Sequence, residues 1–258
     1  MRSSYRRKSV AIVIAIAAAS TASASANTTL DLYHLGEADS PTAVAGNIGD
    51  ATTVDSGPGA DNLSRFNSPT YSSNHAPGTS TISMAFNPSS NIEDYDGPNP
   101  TTASTNIGID AWIYPTVAAG STSVGIAYNG NPGSSGYGLY EGGSDLGYTP
   151  PAGVTTIIAL VGGVDFQKST LPAVNVPLNT WSEVTQILQG GENELFLNGV
   201  LVASHADIAR TPDTDFELGH GFTGEIDEVQ IFSVPEPATI SLLGLAGLGL
   251  LARRKRAS

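Results

Sequence analysis

Residues 179–203 read NTWSEVTQILQGGENELFLNGVLVA. Asn198-Gly199 stands there between the apolar runs Leu195-Phe196-Leu197 and Val200-Leu201-Val202. A two-residue Asn-Gly link of this kind marks a β-hairpin, because a type I′ turn needs positive φ at both central positions. The run before it, 179–187, supplies another strand, entered through the large ring of Trp181. A ring so placed is expected between two packed sheets. Further out, 107–116 reads IGIDAWIYPT, where Ile109, Ala111 and Ile113 alternate with Asp110, Trp112 and Tyr114. Both faces are apolar enough for an inner strand, so Trp112 is likewise expected in the core. FTGEIDEVQIF (222–232) supplies the last strand.

The rest of the chain agrees with short strands joined by turns. Gly, Ser, Thr, Asn and Pro are abundant, and no long stretch carries apolar residues at the 3.6 spacing of a helix. The segment 46–90 is richest in turn formers and is expected to hold long loops. Cysteine is absent, which excludes disulfide scaffolds, thiol catalysis and cysteine-based zinc or iron-sulfur sites. His34, His75, His205 and His220 are scattered without metal-ligand spacing, and no Gly-x-Ser-x-Gly elbow is present.

Both ends read as addresses. Arg2, Arg6, Arg7 and Lys8 precede an uncharged run, 9–19, and then Ala24-Ser25-Ala26. That layout is a secretory signal peptide over 1–26, cut after Ala26 by signal peptidase. An apolar stretch of about 11 residues at ~1.5 Å each is too short to remain as a bilayer span. At the other end, 234–258 opens with Val234-Pro235-Glu236-Pro237, continues through an uncharged stretch, 238–252, and finishes with Arg253-Arg254-Lys255-Arg256. The four cations anchor the terminus on the cytoplasmic side, and the short Gly-bearing segment between makes a marginal transmembrane helix suited to removal.

Between the signals lies one domain, 27–233. It keeps only Arg65, Lys168 and Arg210 of the basic residues against 23 of the 24 acids, a formal charge of −20. Such a surface repels phosphate backbones, which argues against nucleic acid as a partner, and it attracts cations and basic surfaces.

VPEP, a short Leu/Gly/Ala-rich segment and a terminal RRKR resemble the PEP-CTERM sorting signal. The resemblance implies recognition by an exosortase, a membrane-bound stage before processing, and release or surface attachment, often beside exopolysaccharide production. DLYHLGEAD (31–39), IGIDAWIYPT, the 179–203 stretch and FTGEIDEVQIF together resemble the laminin G-like, concanavalin A-type domains. That resemblance implies an all-β, two-sheet antiparallel jelly-roll sandwich whose bacterial members mostly bind glycans or proteins. The expected function is therefore that of an exported, noncatalytic carbohydrate-binding or adhesion protein of the cell surface or polysaccharide matrix. A structural envelope protein with protein partners is the alternative.

The remaining candidates are side chains. Tyr128, Asn129, Tyr137, Tyr140 and Tyr148 lie in a Gly-rich stretch where loops or edge strands would show them to a sugar. Glu225-Ile226-Asp227-Glu228 resembles the start of the ExDxxE or ExDxE motif of laminarinase-type glycoside hydrolases. On a strand the third acid would stand at 229 or, with a bulge, at 230, and these positions hold Val229 and Gln230. The motif fails at its acid/base, and no catalytic residue is assigned. Related jelly rolls often hold a structural calcium near the closing strand, which makes Asp227 the candidate ligand, with a second acid drawn from Asp31 or Glu37. Glu93-Asp94-Tyr95-Asp96-Gly97 lacks the EF-hand register and is expected as a solvated loop.

Overall fold

The computed structural model describes residues 26–236 except 79, 89–91 and 164–170. The expected signal peptide up to Ser25, and the expected sorting helix from Pro237 with Arg253, Arg254, Lys255 and Arg256, lie outside the described residues. Among the described residues no helix is long and apolar enough to cross a membrane.

Sixteen strands follow one another among the described residues: β1 (Thr28–Tyr33), β2 (Thr52–Thr53), β3 (Leu63–Phe66), β4 (Thr70–Ser72), β5 (Ser83–Phe86), β6 (Asp94–Gly97), β7 (Ile107–Pro115) and β8 (Val124–Asn129), then β9 (Tyr137–Glu141), β10 (Val154–Val161), β11 (Ala173–Pro177), β12 (Ser182–Gln189), β13 (Glu192–Leu197), β14 (Val200–Ala206), β15 (Phe216–Leu218) and β16 (Gly224–Ser233). They form two eight-stranded antiparallel sheets. The first runs β14-β13-β12-β7-β16-β5-β4, with β1 also paired to β16, and the second runs β11-β10-β9-β8-β15-β6-β3-β2. This is the expected two-sheet sandwich.

The expected hairpin is present. Asn198 and Gly199 sit at φ 50° and 75°, and Leu197 faces Val200 across the turn. Gly190 and Gly191, also at positive φ, join β12 to β13 in the same way, since Gln189 faces Glu192.

Alternation fills the space between the sheets. Ile107, Ile109, Ala111 and Ile113 of β7, Val184 and Leu188 of β12 and Leu195 of β13 meet Leu139, Ile157, Ala159, Phe216 and Leu218 of the second sheet. Within this apolar layer Gln186 donates to the Leu160 carbonyl at 3.1 Å and to Asn193 Oδ1 at 2.9 Å. Asn193 in turn donates to the Ala159 carbonyl at 2.9 Å, so the pair ties the sheets together. Satisfying these amides matters, because a buried amide without partners costs about 1–3 kcal/mol.

The closing strand carries one irregularity with consequences for the site. Asp227 faces Trp112 and Gln230 faces Asp110, so two residues, Glu228 and Val229, stand opposite Ala111 alone. Glu228 is the inserted residue, at φ 50°, and its carboxylate accepts from His34 Nδ1 at 2.7 Å. The bulge keeps Ile226, Val229 and Ile231 all turned into the core. It also turns Glu225, Asp227 and Gln230 together onto the outer face.

Candidate functional site

The outer face of the first sheet is built from the residues that alternate with its core. Across β12, β7 and β16 the register sets them in rows. Trp181 packs on Tyr114, with ring centroids 5.5 Å apart and planes at 48°, and Tyr114 faces Glu225. In the next row Glu183 faces Trp112, which faces Asp227. In the third, Phe196 of β13 faces Thr185, which faces Asp110, which faces Gln230. Trp112, Tyr114, Trp181 and Phe196 are all partly exposed.

Both tryptophans were expected in the core, and both stand on the outer surface. The reason is parity. Ile109, Ala111 and Ile113 already fill the inward face of β7, so Trp112 must share its side with Asp110 and Tyr114. Trp181 shares its side with Glu183 and Thr185 for the same reason.

Polar groups fix the Trp181 ring. Trp181 Nε1 donates to Asn74 Oδ1 at 3.1 Å, Asn74 Nδ2 donates to Glu225, and Ser72 donates to Glu225 Oε1 at 2.7 Å. Burial raises the Glu225 carboxyl above its ordinary range, and the Ser72 and Asn74 donors offset part of that. Asp110 accepts from Thr185, yet burial pushes it up to about 7. Beside it a cavity of about 300 Å³ is lined by Asp110, Glu183, Thr185, Phe196, Gln230 and Phe232. Phe232 lies over Gly108, where an added Cβ would come within 2.3 Å of the ring. A glycine at that position lets the aromatic floor form. Flat rings beside carboxylates and a primary amide suit a sugar, whose C–H face stacks on rings and whose hydroxyls bond to the polar groups.

The tyrosine set lies elsewhere and is not displayed to solvent. Tyr128, Asn129 and Tyr137 are fully buried, Tyr140 is 5% exposed and Tyr148 is half-buried. β8 and β9 are inner strands, not edges: β8 lies between β9 and β15, and β9 between β8 and β10. Tyr137 packs in the layer between the sheets, while Tyr128 and Tyr140 meet edge to face at 5.3 Å in a second apolar cluster with Ile158 and Leu160. Tyr128 Oη donates to the Ser135 carbonyl at 2.8 Å, and Asn129 Nδ2 to the Thr101 carbonyl at 2.9 Å.

Asp227 is fully buried on the outer side of β16 beneath the loop that follows β4, where Oδ2 accepts from the Ala76 amide at 3.0 Å. Burial raises its carboxyl to about 7, and Oδ1 has no hydrogen-bond partner. Glu37 accepts from the Thr81 amide and hydroxyl, while Asp31 sits on β1 against Asp55. Among the described residues no group of three acid or histidine side chains converges as metal ligands. Calcium takes six to eight oxygens, and the donors around Asp227 do not fit it.

One segment with a weak sequence signal gained structure. The 93–97 stretch forms β6 in place of a loop, and it sets Asp94 and Asp96 on the outer face of the second sheet near Glu217 and His220.

The family model for the concanavalin A-like lectin/glucanases superfamily matches residues 89–238, and the PEP-CTERM protein-sorting motif matches 233–256. The sorting motif indicates export, sorting to the cell surface and processing by an exosortase. Val234 and Pro235 follow β16 directly: the Val234 amide donates to the Asn106 carbonyl at 2.8 Å, and Gln189 donates to the Pro235 carbonyl at 2.7 Å. Among solved structures, domain 4 of AbnA, a GH43 extracellular arabinanase from Geobacillus stearothermophilus in complex with arabinotriose, superposes with a TM-score of 0.52. It is 15% identical over 83% of this chain and 96% of that one, and the likeness shows the fold. Trypanosoma rangeli sialidase gives 0.48 at 11% identity, covering 81% of this chain and 31% of the sialidase. The carbohydrate binding module CBM66 from Bacillus subtilis gives 0.36 at 11% identity, covering 66% and 95%. A search of the curated proteins returned no match. With the family model spanning more than half of the sequence, the chain belongs to the concanavalin A-like lectin/glucanase superfamily.

Proposed function

We propose that this is an exported, noncatalytic glycan-binding protein that reads polysaccharide with the outer face of its first sheet. The observation that carries the reading is the row of partly exposed rings, Trp181, Tyr114 and Trp112, fixed in place beside Glu225, Glu183 and Asp110. Rings held by a sheet, and in the case of Trp181 by a side-chain hydrogen bond as well, lose little entropy on binding, which favours affinity from few contacts.

The noncatalytic part rests on the closing strand. Glu225, Asp227 and Gln230 share the outer face, and the third position, where a glycosidase needs its acid, holds an amide. Asp227 is buried under Ala76.

An array of bacterial and algal polysaccharides tests the proposal. The domain is expected to bind at least one of them saturably without releasing reducing sugar, and Trp112→Ala is expected to weaken that binding at least tenfold while the thermal midpoint changes little. Binding that survives in Trp112→Ala and Trp181→Ala alike would overturn the site, and reducing-sugar release above the blank would overturn the absence of catalysis.

A further inference from the structure

The strand β1 starts beside the cavity on the first face, and the expected end of the signal peptide falls at the same place. Thr29 of β1 faces Phe232 of β16, whose ring lies over Gly108, and Gln230 donates to Thr29 Oγ1. Asn27, two residues before Thr29, comes out on the same side. It is exposed, and it lines the cavity of about 300 Å³ together with Asp110, Glu183, Thr185, Gln230 and Phe232.

The small-residue pattern Ala24-Ser25-Ala26 sets the expected cut at the Ala26-Asn27 bond. Hydrolysis there puts the hydroxyl of a water on the Ala26 carbonyl carbon and its proton on the Asn27 nitrogen. The amine so made takes up a further proton below about pH 8. A cavity-lining residue thereby gains an ammonium group with three N–H donors, borne on its own Cα. In the uncut chain the same nitrogen is an uncharged amide tied to Ala26.

The cavity is short of such a group. It carries the carboxyls of Asp110 and Glu183, and repulsion from Glu183 adds to the burial that raises Asp110. Thr185 donates to Asp110, and Gln230 is neutral. Among the described residues no lysine or arginine lines the cavity. Arg65 stands on β3 of the second sheet, and Arg210 donates to the Ser134 carbonyl. A cation on Asn27 would offset the two carboxylates and set N–H donors beside carboxylate acceptors, the mixture that sugar hydroxyls use.

Resting on the glycan-binding reading of this face, we propose that removal of the signal peptide completes the site. The α-ammonium of Asn27 becomes part of the cavity, where it balances Asp110 and Glu183 and donates to the hydroxyls of a bound sugar. The precursor is thus a poor binder until it is cut.

The sandwich core lies within the compact unit Ala26–Glu236, so the domain can be tested in three forms. One starts at Asn27 with a free amine, one carries an acetyl group on that nitrogen, and one keeps Ala24-Ser25-Ala26. Mass spectrometry of the protein purified after export is expected to find Asn27 first. By NMR, Asp110 is expected to titrate at least about half a pH unit lower in the free-amine form than in the acetylated form, while Glu217, on the opposite sheet, stays in place. A polysaccharide retained by the free-amine form is expected to bind the other two at least fivefold more weakly, at unchanged thermal midpoints. A mature chain beginning elsewhere, the same Asp110 titration in both forms, or equal affinity of all three would each overturn the proposal. If no polysaccharide is retained, the reading of the face fails on the array, and the titration still decides whether the amine meets Asp110.

Discussion

Asp31 sits on β1 with both carboxylate oxygens buried and without a hydrogen-bond partner. Burial, then the neighbouring Asp55, raise its carboxyl to about 8, while Asp55 itself is lowered because the Leu32, Gly57 and Asp61 amides donate to it. A carboxyl in the unfolded chain titrates near ~3.9. The folded state therefore holds this proton more tightly, so its contribution to stability is complete below about pH 4 and is lost progressively as the pH rises toward 8. Asp31→Asn removes that dependence. The variant is expected to melt at least ~3 °C above the parent at pH 8 and at the same temperature at pH 4, and calorimetric scans at the two pH values check it. A variant that gains nothing at pH 8 would contradict the assignment. At this scale the sequence was informative where chemistry is local and silent where packing decides. Trp112 and Asp110 share a parity that was visible in IGIDAWIYP, yet the apolar character of the ring weighed more than the position of the acid.

Elements were legible in proportion to how locally they are determined. The Asn198-Gly199 hairpin needs only its own four residues, and it formed as expected. Gly199 is at φ 75° with open space around its missing Cβ, so Gly199→Ala acts through backbone strain alone. The left-handed region costs an alanine about 1–2 kcal/mol, and the melting temperature is expected to fall by roughly 2–8 °C. An unchanged midpoint would show that the turn relaxes to another type. The bulge at Glu228 is a cross-strand event, set by β7 as much as by β16. Pairing across to β7 decides it, since Asp227 faces Trp112 and Gln230 faces Asp110. β8 and β9 were misjudged for the same reason, since their rank as inner strands depends on partners as distant as β15.

The whole molecule is an anionic sandwich with two dissimilar outer faces. One presents fixed rings with carboxylates, and the other the carboxylates of Asp94, Asp96 and Glu217 beside His220. Its formal charge of −20 between the signals implies that any dissolved divalent cation stabilises it somewhat through screening. Because no three acid or histidine side chains converge as metal ligands among the described residues, calcium and magnesium at equal concentration are expected to shift the melting temperature by the same amount within about 1 °C. A shift several degrees larger with calcium would place a specific calcium site in the domain.

The chain has two tryptophans, Trp112 and Trp181, and both stand on the face assigned to polysaccharide. Intrinsic fluorescence therefore reports on that face without any label. Titration with a polysaccharide retained by the domain is expected to give a saturable change in tryptophan emission, with the midpoint of the binding isotherm measured independently. Binding that leaves the emission untouched would place the ligand elsewhere and contradict the account.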